Sequence, residues 1–244
     1  LMWTWFHRLA SPPTFYRWGG TLQVIFGVAA AVLIVVGTYG GLVLAPADYQ
    51  QGDAFRIIYV HVPSAWLSLL VYTTMAVAGG VALIWRMKLA ELFVVAAAPI
   101  GAAFTALALV TGMLWGEPMW GTYWVWDARL TSELVLLFLY LGVIALNGAF
   151  EDPRRGARAA AVLALIGVVN VPIIHYSVEW WNSLHQGATV TKFDSPSISM
   201  DMLWPLLVNA LGFTFYYCAM QCMRMRALVL SRERDARWIR EAVA

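Results

Sequence analysis

Six runs of apolar residues, at positions 21–44, 62–85, 92–115, 130–150, 159–178 and 202–223, dominate this sequence. Each is near the ~20 residues that an α-helix needs to cross the hydrocarbon of a bilayer, where a segment must bond its own backbone polar groups. Composition agrees. Charged residues make up 12% of the 244, about half the ~25% of an ordinary soluble domain. The expected fold is an all-α polytopic membrane protein with six transmembrane helices. Residues 1–223 form a single membrane domain and 224–244 a basic cytoplasmic tail.

Basic residues in the loops set the orientation, since cytoplasmic loops carry the excess. One set of connections holds Arg8 and Arg17, Arg86 and Lys88, Arg154, Arg155 and Arg158, and every arginine from Arg224 to Arg240. The other set holds only Arg56, Arg129 and Lys192 of the 16 Lys and Arg residues. Both termini are therefore expected in the cytoplasm, with the second set of loops in the periplasm if the membrane is a bacterial inner membrane. The first twenty residues, with Trp3, Trp5, His7, Pro12, Pro13 and Trp18, lack an apolar signal core and a small-residue cleavage site. They read as an interfacial segment rather than a removed signal peptide. Cys218 and Cys222 share a helix face and read as packing residues. No nucleotide-binding Gly-rich loop, Gly-x-Ser-x-Gly or His-Glu-x-x-His occurs, so neither ATP hydrolysis nor hydrolase chemistry is expected of this chain.

Three connections face outward: 45–61, 116–129 and 179–201. His61 lies in the first, two residues before Pro63, which is placed to open the second span, so His61 should sit just above the bilayer surface. His185 lies in the third, after the Trp180–Trp181 pair. Two imidazoles facing one another are a standard way to hold haem iron from both sides. Each histidine also has the plainer reading of an interfacial hydrogen-bonding residue.

The stretch WGTYWVWDARL, 120–130, follows Trp115 closely. Read as a short helix lying along the surface, it puts Trp120, Tyr123, Trp124 and Asp127 on one face. Gly116, Pro118 and Gly121 would separate it from the third span. An aromatic belt scatters its rings over all helix ends, whereas Trp115, Trp120, Trp124 and Trp126 crowd one loop. Such a shelf suits a flat apolar disc such as haem. Arg56 and Arg129 are then candidates to pair with the two propionates, or else with loop carboxylates such as Asp53 and Asp127.

Other polar residues carry lesser expectations. Glu133, one turn inside the fourth span, is placed where water could reach it. Asn147, Asn170 and Asn209 are expected to knit helices together. His175 shares a face with Glu179 and reads as its hydrogen-bond partner ahead of a third iron ligand. A b-type electron-transfer subunit would bury two histidines within spans, and His175 is the only one there. A transporter would need a polar path at mid-depth, and the midplanes look nearly featureless.

The segments RIIYVHVPSAW, WGTYWVWDARLTSELVLLFLY and IIHYSVEWWNSLHQG together resemble haem-handling protein C of the bacterial cytochrome c maturation system. That family is marked by the tryptophan-rich motif Trp-Gly-x-x-Trp-x-Trp-Asp, here 120–127, and the resemblance runs through all six spans. It implies binding of haem b at the outer face of the inner membrane through His61 and His185 as axial ligands. It also implies delivery to a periplasmic haem chaperone, which attaches the haem covalently to a histidine of its own. Partners would include the ATPase and membrane subunits of an ABC transporter and a small single-span membrane protein. The chain would then be a carrier rather than an enzyme. It works by positioning, with Asp127 capping or orienting the shelf.

Overall fold

The computed structural model describes residues 10–181, 183–185, 187, 190 and 195–243, with side chains to 240. Trp3, Trp5, His7, Arg8 and Lys192 lie outside the described residues. Helix α1, Pro12–Tyr39, ends in a π-helical turn at Gly40–Leu44. A 3-10 turn at Asp53–Ile57 leads into α2, Ile58–Trp85. Helices α3, Lys88–Trp120, and α4, Ala128–Gly148, follow. Next come α5, Pro153–Gly167, α6, Asn170–Trp180, and α7, Met200–Arg232, with a short α8, Arg237–Val243. No strand occurs among the described residues beyond one bridge between Asp48 and Gly52. Six spans are long and apolar enough to cross a membrane, with α5 and α6 sharing the fifth.

The centre is built by α2, α3, α4, α5 and α7 around Val71, Tyr72, Met75, Val94, Leu136 and Tyr140. Helix α1 stands at the edge and packs chiefly on α7. Small residues let them touch: a side chain at Gly37 would run into Asn209, and one at Gly40 into the Trp204 ring. A methyl at Gly101 would likewise collide with Tyr140. Gly101→Ala is therefore expected to cost about 1–3 kcal/mol of overpacking and to lower Tm in detergent. Gly27→Ala, where an added carbon meets nothing within 4 Å, should not.

Prolines explain two departures from the apolar runs. The fifth span breaks at Val168 and Val169 because Pro172 brings no N–H and its ring crowds the carbonyl four residues back. Pro63 does not open the second span. The helix starts at Ile58, and Pro63 lies buried inside it, leaving the Tyr59 carbonyl without its helical donor. Asn209 fills that vacancy, its Nδ2 donating to the Tyr59 carbonyl at 3.2 Å, while Thr38 Oγ1 donates to its Oδ1 at 3.5 Å. Asn209 thus ties α1, α2 and α7, as expected of it, and Asn170 ties α6 to the Ser132 carbonyl of α4 at 2.9 Å. Asn147 Oδ1 is buried without a partner among the described residues.

Two further expectations are corrected. Glu133 is not open to water: it is buried, taking the Ser68 hydroxyl at 2.8 Å. The mid-depth is not featureless either. Tyr140 donates to the Ser68 carbonyl at 2.7 Å, and the Tyr217 and Thr74 hydroxyls meet at 3.0 Å. A hydropathy reading passes over tyrosines that hide a single polar atom. The basic segment from 224 onward starts as the last turns of α7, with Arg224 donating to the Ala96 carbonyl and Arg226 to Gln23.

Candidate functional site at the tryptophan-rich end

His61 sits in the first turn of α2 and reaches across to α3. Its Nδ1 lies 3.0 Å from both the Ala108 carbonyl and Thr111 Oγ1, and the Trp115 indole meets the ring edge-on at 5.6 Å. Trp115 is itself held by Gln51, which accepts its Nε1–H at 2.9 Å. Half-buried, His61 faces α3 about three turns before its Trp120 end.

His185 arrives from the connection after α6. Its Nδ1 lies 2.9 Å from Asp127 Oδ2, and Ser183 donates to the same oxygen at 2.5 Å. The His185 backbone N–H returns to Ser183 Oγ at 3.1 Å. Trp120 packs edge-on against the ring at 4.7 Å. Each histidine therefore has Nδ1 engaged and is braced by an indole of α3, and no described residue bonds either Nε2. An Nδ1–H held by a carboxylate or carbonyl fixes the tautomer that leaves Nε2 as the free base.

Asp127 does more than orient a shelf. Oδ1 accepts the Leu130 N–H at 2.8 Å and caps α4, while Oδ2 serves Ser183 and His185. Burial alone would raise its carboxyl, but the Ser183, Leu130 and His185 contacts outweigh that and hold it below the ordinary range. Burial pushes the His185 imidazolium down, with Asp127 only partly opposing, so the ring is neutral at physiological pH. The signal missed in the sequence was Ser183, two residues before His185. A loop hydroxyl there is commonplace, and its partner lies 56 residues away.

The tryptophan-rich stretch is not a short helix. α3 runs unbroken through Gly116 and Pro118 to Trp120, and Gly121, at φ 72°, accepts the left-handed turn that stops it. Residues 121–127 form an irregular strap, bent at 121–123 and folded back over Gly116, where an added carbon would meet the Thr122 carbonyl at 3.1 Å. The helical spacing of Trp120, Tyr123, Trp124 and Asp127 therefore does not make one face. Tyr123 and Trp126 point outward, Trp126 at 77% exposure. Trp124 turns in against Trp126, its indole N–H buried without a partner among the described residues. Val125, Trp126, Asp127, Ser183 and Leu184 line an open hollow of about 320 Å³.

The two arginines part company. Arg56 donates from Nε to Asp53 at 2.9 Å and from Nη1 to the Gly41 and Ala45 carbonyls at 2.8 and 3.1 Å, clamping the end of α1. Arg129 makes no ion pair among the described residues, and its charge is felt at both His61 and His185. His175 does not pair with Glu179. It is exposed beside Tyr176, and no described residue hydrogen-bonds it. His61 meets Trp115, and His185 meets Trp120 and Asp127; Trp126 lines the hollow beside Asp127 and Ser183, and Arg56 is turned to the end of α1.

Known proteins resemble this chain along nearly its whole length. The family model described as heme exporter protein C matches residues 5–240. A heme exporter protein C of Haemophilus influenzae is 53% identical over 98% of this chain and 97% of its own length. That of Escherichia coli K12 is 54% identical over 99% and 98%. A putative cytochrome c biosynthesis ccmC-like mitochondrial protein of Marchantia polymorpha is 45% identical over 82% and 84%. With its six spans, its tryptophan-rich strap and an end-to-end match of this kind, the chain belongs to the heme exporter protein C family.

Proposed function

We propose that this chain binds haem b at the outer face of a bacterial inner membrane and passes it to a periplasmic haem chaperone during cytochrome c maturation. His61 and His185 are the axial ligands. The observation that carries this reading is the matched state of the two imidazoles, each tied at Nδ1, braced by an indole and with no described residue bonded to Nε2. A metal held by protein alone commonly takes four ligands, or three beside a water. No group of three or more His, Cys, Asp or Glu side chains is placed for that among the described residues. Two imidazoles suffice for iron whose remaining positions are filled by a porphyrin.

The surroundings fit such a cargo. Trp115, Trp120, Tyr123, Trp124 and Trp126 offer apolar rings, the buried Trp124 N–H offers a spare donor, and Arg129 offers a cation for a propionate. Arg56 stands further out and contributes mainly by fixing the first connection, with a second propionate within its remit. The arginine-rich end and both termini face the cytoplasm, which puts the strap in the periplasm. The chain acts as a carrier, holding and orienting haem for the chaperone. It works alongside the ATPase and membrane subunits of an ABC transporter and a small single-span protein, which would supply the nucleotide chemistry.

The test is purification of the chain from cells with ample haem supply. The expected product is coloured, with a six-coordinate bis-imidazole spectrum that fades as a purified periplasmic haem-accepting protein takes up the pigment. A colourless product overturns the reading.

A further inference from the structure

His61, carried by α2, stands opposite a single row of α3 residues. Ala108, Thr111, Gly112 and Trp115 fall at i, i+3, i+4 and i+7, so they share one face of that helix. Each has a part in seating the imidazole. Ala108 presents its carbonyl and Thr111 its hydroxyl oxygen, both 3.0 Å from Nδ1. Trp115 meets the ring edge-on at 5.6 Å. Gly112 supplies the floor: a carbon added there would lie 3.0 Å from the ring Cε1 and 3.6 Å from Nδ1. A bare backbone at this position is what lets the ring lie so close to α3.

A count of protons orients the ring. A hydroxyl has one proton to give, and Thr111 Oγ1 lies nearest the Leu107 carbonyl, at 2.6 Å, with the Ala108 carbonyl further off at 3.2 Å. With its proton spent on the helix backbone, Thr111 turns a lone pair to His61. The Ala108 carbonyl can only accept. Nδ1 thus faces two acceptors and must itself carry the hydrogen, which leaves Nε2 as the bare nitrogen. Ala108 and Thr111 are both buried, where an unmatched lone pair is costly. The opposite tautomer would leave two of them facing a third on Nδ1. A ligand approaching Nε2 therefore meets an imidazole already ordered and already in its binding form.

Resting on the haem reading above, we propose that Thr111 and Gly112 are positioning residues for His61. Thr111 selects the tautomer, and Gly112 sets how closely the ring lies against α3 and so where Nε2 stands. Both act through the imidazole.

Haem titration of the purified full-length chain in detergent tests this with wild type, Thr111→Val, Thr111→Ser and Gly112→Ala, each also in a His61→Gly background. Thr111→Val keeps the shape and drops the lone pairs. It is expected to bind haem about tenfold more weakly, as when an imidazole ligand loses an orienting partner. Thr111→Ser restores the hydroxyl and should return affinity to the wild-type value. Gly112→Ala displaces the ring by a few tenths of an ångström and should give a mixed, partly five-coordinate spectrum. In the His61→Gly background neither change should weaken binding further, whereas a purely structural role would weaken it in both backgrounds. In the haem-free protein, magnetic resonance of histidine labelled with a heavy nitrogen isotope should find the His61 hydrogen on Nδ1. A hydrogen on Nε2 instead, or the same losses without His61, overturns the proposal. A wild type that takes up no haem overturns the functional reading beneath it as well, whereas a wild type that binds beside an unaltered Thr111→Val or Gly112→Ala overturns this inference alone.

Discussion

Alanine at either His61 or His185 is expected to cut the haem retained on purification at least about tenfold and to abolish the six-coordinate spectrum, because in the proposed function each supplies one of two axial bonds. The two variants should differ in rescue. His185 hangs from a connection at the rim, held by Asp127 and Ser183, and its removal leaves an opening to solvent. His61 is enclosed between α2 and α3 against Ala108, Thr111 and Trp115. Added imidazole should therefore restore six-coordination in His185→Gly at lower concentration than in His61→Gly. Absorption spectra recorded over an imidazole series read this directly. Equal and full haem retention in both alanine variants is the outcome that removes the axial assignment.

Asp127→Ala should show the second-largest effect and should act twice. Losing the N-cap of α4 costs about 1 kcal/mol of stability, visible as a lower Tm. Releasing His185 Nδ1 from its carboxylate costs about 10- to 100-fold in haem affinity, the usual toll for removing the group that orients an imidazole ligand. Asp127→Asn separates the two effects. Its side-chain oxygen still caps Leu130, so Tm should return towards wild type. The negative charge behind the imidazole is gone, so affinity should not recover fully. If Asp127→Asn binds haem as wild type does, the His185 contact is only structural.

The six spans were legible in the sequence because bilayer thickness sets helix length and leaves the apolar runs little choice. What lay at their ends was not. Gly121 stops α3 at Trp120, and the strap to Asp127 is irregular, although its tryptophans happen to recur at helical spacing. Pro63 looked like a first helical residue because that is where proline is cheapest. Here its freed carbonyl is filled by Asn209, 150 positions away, and no local pattern could show that. Recognition of His61, His185 and Asp127 came from residue type and the tryptophan-rich surroundings. The bond between Asp127 and His185, 58 positions apart, needed the fold. The same holds for Arg56, whose bonds to the Gly41 and Ala45 carbonyls bridge 15 and 11 positions.

The edge position of α1 bears on how the molecule is made. This helix leaves the ribosome well before α7, yet the surface that receives it belongs to α7, with Thr38 and Asn209 separated by 171 positions. While four further spans are threaded into the bilayer, α1 has to wait among lipid tails, where its aliphatic side of Val24, Val28, Val32 and Val35 is at home. Its glycine-lined side finds a mate only once α7 has been made. Docking of α1 therefore waits for α7, and the clamp that Arg56 throws onto the end of α1 bears on a settled helix only after that.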